Sequence, residues 1–156
     1  MNHNDHVDLL RPANIAPGIY ADLGAGSGAF TLALRELVGL DSTIHAVDKN
    51  KSSLHELEKA HRARFHSTER LLLLSSDFSR PLSLPPLDGI VMANSLHFFK
   101  DKEKILRHVR EFLKPNSALI IVEYNVDLGN MWVPYPLTFE TYRASFPMLD
   151  LVNHVY

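Results

Sequence analysis

Tyr20-Ala21-Asp22-Leu23-Gly24-Ala25-Gly26-Ser27-Gly28-Ala29-Phe30 is the stretch on which the reading of this chain turns. A short apolar run ends at an acidic residue, passes through three glycines on alternate positions and enters residues that suit a helix. That order suits a nucleotide-type cofactor loop: glycine turns tightly and lets the backbone approach a ligand without a Cβ clash, and a helix start offers free N–H groups. Gly24, Gly26 and Ala29 also satisfy the G-x-G-x-x-G/A fingerprint of dinucleotide-binding domains. By itself, then, the loop leaves two cofactor classes open, besides a glycine turn that serves packing only. Asp22 separates them in part, because a carboxylate there suits a cationic amino group and would repel a pyrophosphate.

Downstream, apolar runs and helical periodicities alternate. Ile19 to Leu23 reads as a first strand and Ala29 to Val38 as a helix, with Phe30, Ala33, Leu34, Leu37 and Val38 at helical spacing and Gly39 as its stop. Thr43 to Val47 forms a second strand ending at Asp48. A helix over about Ser52 to Arg64 follows, with Ser53-x-x-Glu56 as a capping box. Leu71 to Leu74 is a third strand, and the prolines between Pro81 and Pro86 exclude a long helix after it. Gly89 to Ala93 is a fourth strand, Asp101 to Leu113 a helix, and Ala118 to Glu123 a fifth strand. This alternation predicts an α/β, doubly wound, Rossmann-like and mostly parallel sheet in a single domain over residues 1–156. Ligands bind such sheets beyond the carboxyl ends of the strands, and polar residues stand at those ends: Asp22, Asp48, Asp77 and Asn94.

Composition narrows the partners. A net charge of −2 over 156 residues supplies no basic excess for a nucleic-acid backbone, so small molecules or protein are the favoured partners. With no cysteine, thiolate chemistry and cysteine-based metal sites are excluded, and a reducing cytoplasm fits. No apolar run reaches the length of a membrane span, and the first residues lack the basic and apolar parts of a signal peptide. Nine histidines include none in a ligand spacing such as H-E-x-x-H, so no metal site is expected.

The ordered set Asp22-Leu23-Gly24-Ala25-Gly26-Ser27-Gly28, Ala46-Val47-Asp48, Ser76-Asp77-Phe78, Asp88-Gly89-Ile90-Val91 and Leu113-Lys114-Pro115 resembles the class I S-adenosylmethionine-dependent methyltransferases. The likeness is to their small-molecule branch, which includes ubiquinone and menaquinone biosynthesis enzymes, and covers about Ile19 to Asn125. The resemblance implies a seven-stranded sheet ordered 3-2-1-4-5-7-6 with one antiparallel strand. It implies that S-adenosyl-L-methionine is the cofactor and that its methyl passes directly to a small-molecule acceptor. Asp22 and the backbone of Gly24, Ala25, Gly26 and Gly28 would face the methionine part, Asp48 would accept from the ribose hydroxyls, and Lys49 beside it would also belong to the cofactor site. Asp77 and Phe78 would bound the adenine, Asn94 would line the pocket, and His97 would approach the acceptor as a catalytic residue.

Each assignment has a plainer alternative. Asp48 also suits a helix N-terminus, Asp77 a local turn, and His97 a packed wall position between Leu96 and Phe98. Glu123, Tyr124 and Asn125 are further acceptor-side candidates, with loop anchoring as the alternative. A non-catalytic cofactor-binding domain and an NAD-dependent oxidoreductase are the competing functions. At the carboxyl end, Thr138 to Ser145 suits a helix and Leu149 to Tyr156 a strand, so the last strand of the family sheet is expected to be missing, by shortening or truncation. The exposed edge then calls for cover by a loop, a second copy or a partner subunit that completes the site. The Trp132 to Tyr135 segment suits a substrate lid or a loop anchor.

Overall fold

The computed structural model describes residues 1–146. Five strands, β1 (Ile19–Leu23), β2 (Thr43–Asp48), β3 (Leu71–Ser75), β4 (Leu87–Ala93) and β5 (Leu113–Val122), form one sheet in the order β3-β2-β1-β4-β5. Every neighbouring pair is parallel, so all five carboxyl ends share one rim. Helices α1 (His3–Leu10), α2 (Ala29–Val38), α3 (Lys51–Phe65), α4 (Lys102–Arg110) and α5 (Phe139–Ser145) complete the elements, with 3-10 turns at Arg11–Ala13 and Leu96–Phe98. The expected strand at Leu149 to Tyr156 lies outside the described residues.

Strand alternation distributes the apolar side chains between two cores. Tyr20, Ile44, Val91 and Ile120 pack with α1, α2 and α3, through Leu10, Leu34 and Leu57. Ala21, Leu23, Ile90 and Met92 pack with α4 and α5, through Ile105, Leu106 and Tyr142. Both faces of the central strands are thereby covered, which is why β4 is apolar almost throughout, whereas Leu72 and Leu73 of the edge strand β3 stay exposed.

Two expectations are corrected and one element is added. The residues before β1, to which the sequence pattern assigned no element, hold a helix, α1, capped reciprocally by Asn2 and Asp5 and seated on α2 through Val7, Leu10 and the His6–Phe30 ring contact at 4.8 Å. It escapes the periodicity test because only two of its residues are buried. Helix α3 is capped by Asn50, whose side chain accepts from the Ser52 and Ser53 N–H groups, in place of the Ser53–Glu56 box. Helix α4 ends at Arg110, and Leu113 and Lys114 already belong to β5, with Leu113 opposite Leu87.

At the rim opposite the carboxyl ends, one buried arginine ties three connections together. Arg35 donates to the carbonyls of Gly39 (2.9 Å), Ser42 (2.5 Å) and Arg70 (2.9 Å) and to His61 Nε2 (3.1 Å). Since Nε2 accepts, His61 carries its proton on Nδ1 and donates it to the Ser67 carbonyl at 2.7 Å. The starts of β2 and β3 and the end of α3 are thus held by charge-assisted bonds.

Candidate functional site

At the carboxyl rim the ends of β1, β2, β3 and β4 surround a cavity of about 460 Å³. Its walls carry Gly24, Asp48, Lys49, Asp77, Phe78 and Asn94, six of the residues singled out in the sequence, together with Ser76, Ser95, Phe98 and Phe99. Asp22, Ala25, Gly26, Gly28 and His97 are not on its walls.

The glycine loop is shaped largely by its own bonds. Gly24 and Ala25 N–H groups donate to the Val47 carbonyl at 2.8 and 3.0 Å, Gly28 N–H donates to Ala25, and Gly26 N–H donates to Asp48 Oδ2 at 2.9 Å. Four amides of the loop are therefore engaged within the protein. Two glycines are required sterically. Gly24 has φ +85° and a Cβ there would lie 2.6 Å from that of Ser95; Gly28 has φ +97° and its Cβ would meet Leu57 Cγ at 2.5 Å. The Gly24 backbone forms cavity wall, whereas Gly28 lets α2 approach α3.

Asp22 sits beneath this loop, 1 % exposed, accepting a hydrogen bond from Thr31 Oγ1 at 2.6 Å. Burial pushes its carboxyl up to about 7, the Thr31 bond acts the other way, and the Asp48 charge adds to the rise. Asp48 receives Gly26 N–H on one oxygen and Asn50 N–H on the other, at 2.9 and 2.8 Å, and each oxygen keeps a second lone pair for a ligand.

Asp77 makes the turn contemplated for it, with Oδ1 accepting from both the N–H and the hydroxyl of Ser79 at 2.9 and 2.6 Å. Those bonds hold its carboxyl below the usual range. Its second oxygen is 3.9 Å from Arg80 Nε and the residue still borders the cavity, so turn and wall coexist. Asn94 adopts φ +52°, and its Oδ1 is buried without a hydrogen-bond partner. The residue borders the cavity, but this oxygen is closed off from it, and an unpaired buried acceptor costs stability.

His97 is 3 % exposed, behind the cavity wall. Its Nδ1 lies 2.6 Å from Glu123 Oε2, while Glu123 Oε1 accepts from the Leu96 and His97 N–H groups at 2.7 and 3.2 Å. Its ring touches Phe98 at 4.3 Å and Tyr124 at 6.1 Å between centroids. Glu123 therefore anchors the 3-10 turn, and Asn125 anchors the start of α5 by accepting from Phe139 N–H at 3.0 Å. Phe98, 58 % exposed, and Phe99, edge-on to Phe78 at 5.3 Å, supply apolar cavity wall. Two adjacent aromatics in the short turn after β4 are the sequence signal for that wall. Among the described residues no cluster of acidic and histidine groups could hold a metal ion, and no helix is long and apolar enough to cross a membrane.

A parallel 3-2-1-4-5 sheet with polar strand ends around one rim cavity defines a Rossmann-like α/β domain. The chain belongs to the methyltransferase domain family, which it matches over residues 21–119. It is 34 % identical over 115 residues to acetylserotonin O-methyltransferase of Mus musculus, an overlap of 67 % of this chain and 28 % of that protein. It is 27 % identical over 108 residues to the ubiquinone/menaquinone biosynthesis C-methyltransferase of Blochmanniella pennsylvanica, covering 69 % of this chain and 42 % of that one. The chain thus spans less than half the length of these curated relatives. Coclaurine N-methyltransferase, crystallised with N-methylheliamine and SAH, superposes with a TM-score of 0.72 at 19 % identity, over 90 % of this chain and 47 % of the other. At that identity the likeness is one of fold.

Proposed function

We propose that this chain is the cofactor-binding domain of an S-adenosyl-L-methionine-dependent methyltransferase that acts on a small-molecule acceptor. The observation that carries the reading is the convergence of Asp48, Asp77 and Asn94 on one cavity backed by Gly24 and Phe78. These residues fit the donor: carboxylate oxygens suit ribose hydroxyls and an amino group, the absent Cβ of Gly24 leaves room, and Phe78 offers an apolar edge. Family membership favours the methyl donor over the nicotinamide class that the glycine pattern left open.

When bound, the cofactor supplies an electrophilic methyl group on a sulfonium, and the acceptor supplies the nucleophile. The chain's own work is to hold the two in line and keep water out, which needs neither a covalent intermediate nor a metal. Asp48 and Asp77 orient the nucleoside, and Asp22 supplies negative charge under the glycine loop toward the cationic end. His97, held by Glu123 behind the cavity wall, supports the turn that carries Phe98 rather than meeting the acceptor itself. Phe98 and Phe99 favour an apolar acceptor surface beside the cavity.

Calorimetry with S-adenosylmethionine, S-adenosylhomocysteine and NAD tests the reading on the wild type and on Asp48→Ala. Binding of the first two and a loss of at least about tenfold in the variant is expected, from deletion of a charge-assisted bond. Binding of NAD alone, or an unchanged affinity in the variant, contradicts it. Tight binding without release of S-adenosylhomocysteine in the presence of any acceptor in a small-molecule panel would assign the non-catalytic alternative.

A further inference from the structure

Lys102 is placed against every local preference. It is the first residue of α4, where the helix dipole disfavours a cation, and it is only 8 % exposed. No carboxylate among the described residues lies within 4 Å of its ammonium. A buried lysine without an ion pair costs stability, and residues that break local rules at such a cost cluster where a site needs them.

The contacts of Lys102 say what it holds. Nζ donates to the Phe99 carbonyl at 2.8 Å and stands 5.9 Å from the centre of the Tyr135 ring. Phe99 closes the 3-10 turn Leu96–Phe98, and its own N–H returns to the Leu96 carbonyl at 3.1 Å. At the other end of the turn, Glu123 accepts the Leu96 and His97 amides. A carboxylate therefore grips the amide end and an ammonium the carbonyl end, each matched to the partial charge it meets. Burial lowers the pKa of Lys102 and the Glu123 charge opposes that fall, so the two grips reinforce each other electrostatically. The segment after β5 joins the same assembly, because Tyr135 N–H donates to the His97 carbonyl at 3.0 Å while its ring borders Lys102.

We propose that Lys102 is a positioning residue of the site: by clamping the Phe99 carbonyl opposite Glu123 and under Tyr135, it fixes the turn that presents Phe98 and Phe99 to the cavity and His97 to Glu123. It touches neither cavity nor reacting atoms and acts through the turn. The cavity part of this role rests on the cofactor reading above; the alignment of His97 does not.

Lys102→Met, Lys102→Arg and Lys102→Gln are compared with wild type and with Lys104→Met, a change at an exposed lysine of the same helix. Two readouts are taken: S-adenosylhomocysteine affinity by calorimetry, and the NMR resonance of the His97 Nδ1 proton, which reports its 2.6 Å approach to Glu123. Lys102→Met is expected to weaken binding by about tenfold and to shift or broaden the proton signal, while Lys102→Arg restores both to within about twofold and Lys104→Met leaves both unchanged. A general loss of stability would lower the melting temperature without moving the His97 signal in the folded protein. If Lys102→Met does not fold, Lys102→Gln, which still donates to the carbonyl without charge, carries the comparison and is expected to be intermediate. An unmoved His97 signal and wild-type affinity in Lys102→Met or Lys102→Gln overturn the proposal. Failure of the wild type to bind S-adenosylhomocysteine overturns the cofactor reading instead, and the proton signal then decides the role of Lys102 alone.

Discussion

Replacing Asp22 by Asn should make the protein more stable at neutral pH while weakening its site. Asp22 is fully buried, and desolvation raises its carboxyl from 3.8 to about 7, despite the opposing bond from Thr31. Between those two values the native state keeps a proton that the unfolded chain has lost, so stability falls as pH rises through that window. A displacement of about 3 units at 1.36 kcal/mol each amounts to about 4 kcal/mol of lost stability once pH exceeds 7. Asn cannot ionise, has nearly the same shape and can still accept from Thr31. The variant should match wild type near pH 4 and gain steadily, up to about 4 kcal/mol by pH 8. Urea denaturation at one-unit intervals from pH 4 to 8, read as the difference between the two proteins, isolates this residue from every other titration. A difference flat in pH, or a variant less stable than wild type at pH 8, would refute the reasoning. Calorimetry on the same samples should show weaker S-adenosylmethionine binding, since the charge that destabilises the fold is the one assigned to the cofactor's cationic end.

Gly28→Ala should cost about 2 to 4 kcal/mol in urea denaturation, combining a left-handed backbone at φ +97° with a Cβ 2.5 Å from Leu57 Cγ. Adding Leu57→Ala should cost less in that background than in wild type; simple additivity would remove the steric explanation. His61, neutral and buried against Arg35, has its pKa lowered chiefly by burial, as do His45 and His6. Below the ordinary value of 6.5 the unfolded chain takes up protons that the native state refuses, so acid should destabilise at up to roughly 1 kcal/mol per pH unit for each such group. His61→Gln should show a shallower fall in melting temperature from pH 7 to 5; an equally steep fall would relieve His61 of that role.

Most of the sheet was legible because it is written in local pattern. The central strands β1 and β4 are apolar runs covered on both faces, the edge strand β3 is apolar though partly exposed, and each of α2 and α3 keeps its buried residues at helical spacing. Where a contact from elsewhere sets the outcome, the sequence misleads. The end of α4 could be read as reaching Leu113, but Leu113 is captured by β4 opposite Leu87. Helix α1 could have been found from Asn2-x-x-Asp5, a capping pair rather than an apolar stripe. Of the site, the strand-end acids and Asn94 were readable from position, whereas the depth of Asp22 and the concealment of His97 were not, since both are decided by neighbours remote in sequence. Nothing local links Glu123 to residues 96 and 97, or marks Lys102 as buried.

Asp48 has one further consequence, for the speed and cost of ligand capture. Its carboxylate already bridges the backbone of Gly26 and that of Asn50, so the bend beside the first strand is braced from the start of α3 before any nucleoside arrives. Little ordering entropy then remains to be lost on association, and capture should resemble insertion into a finished mould rather than the freezing of a slack segment. Amide exchange at Gly26 should accordingly be slow in the ligand-free protein and change little on saturation.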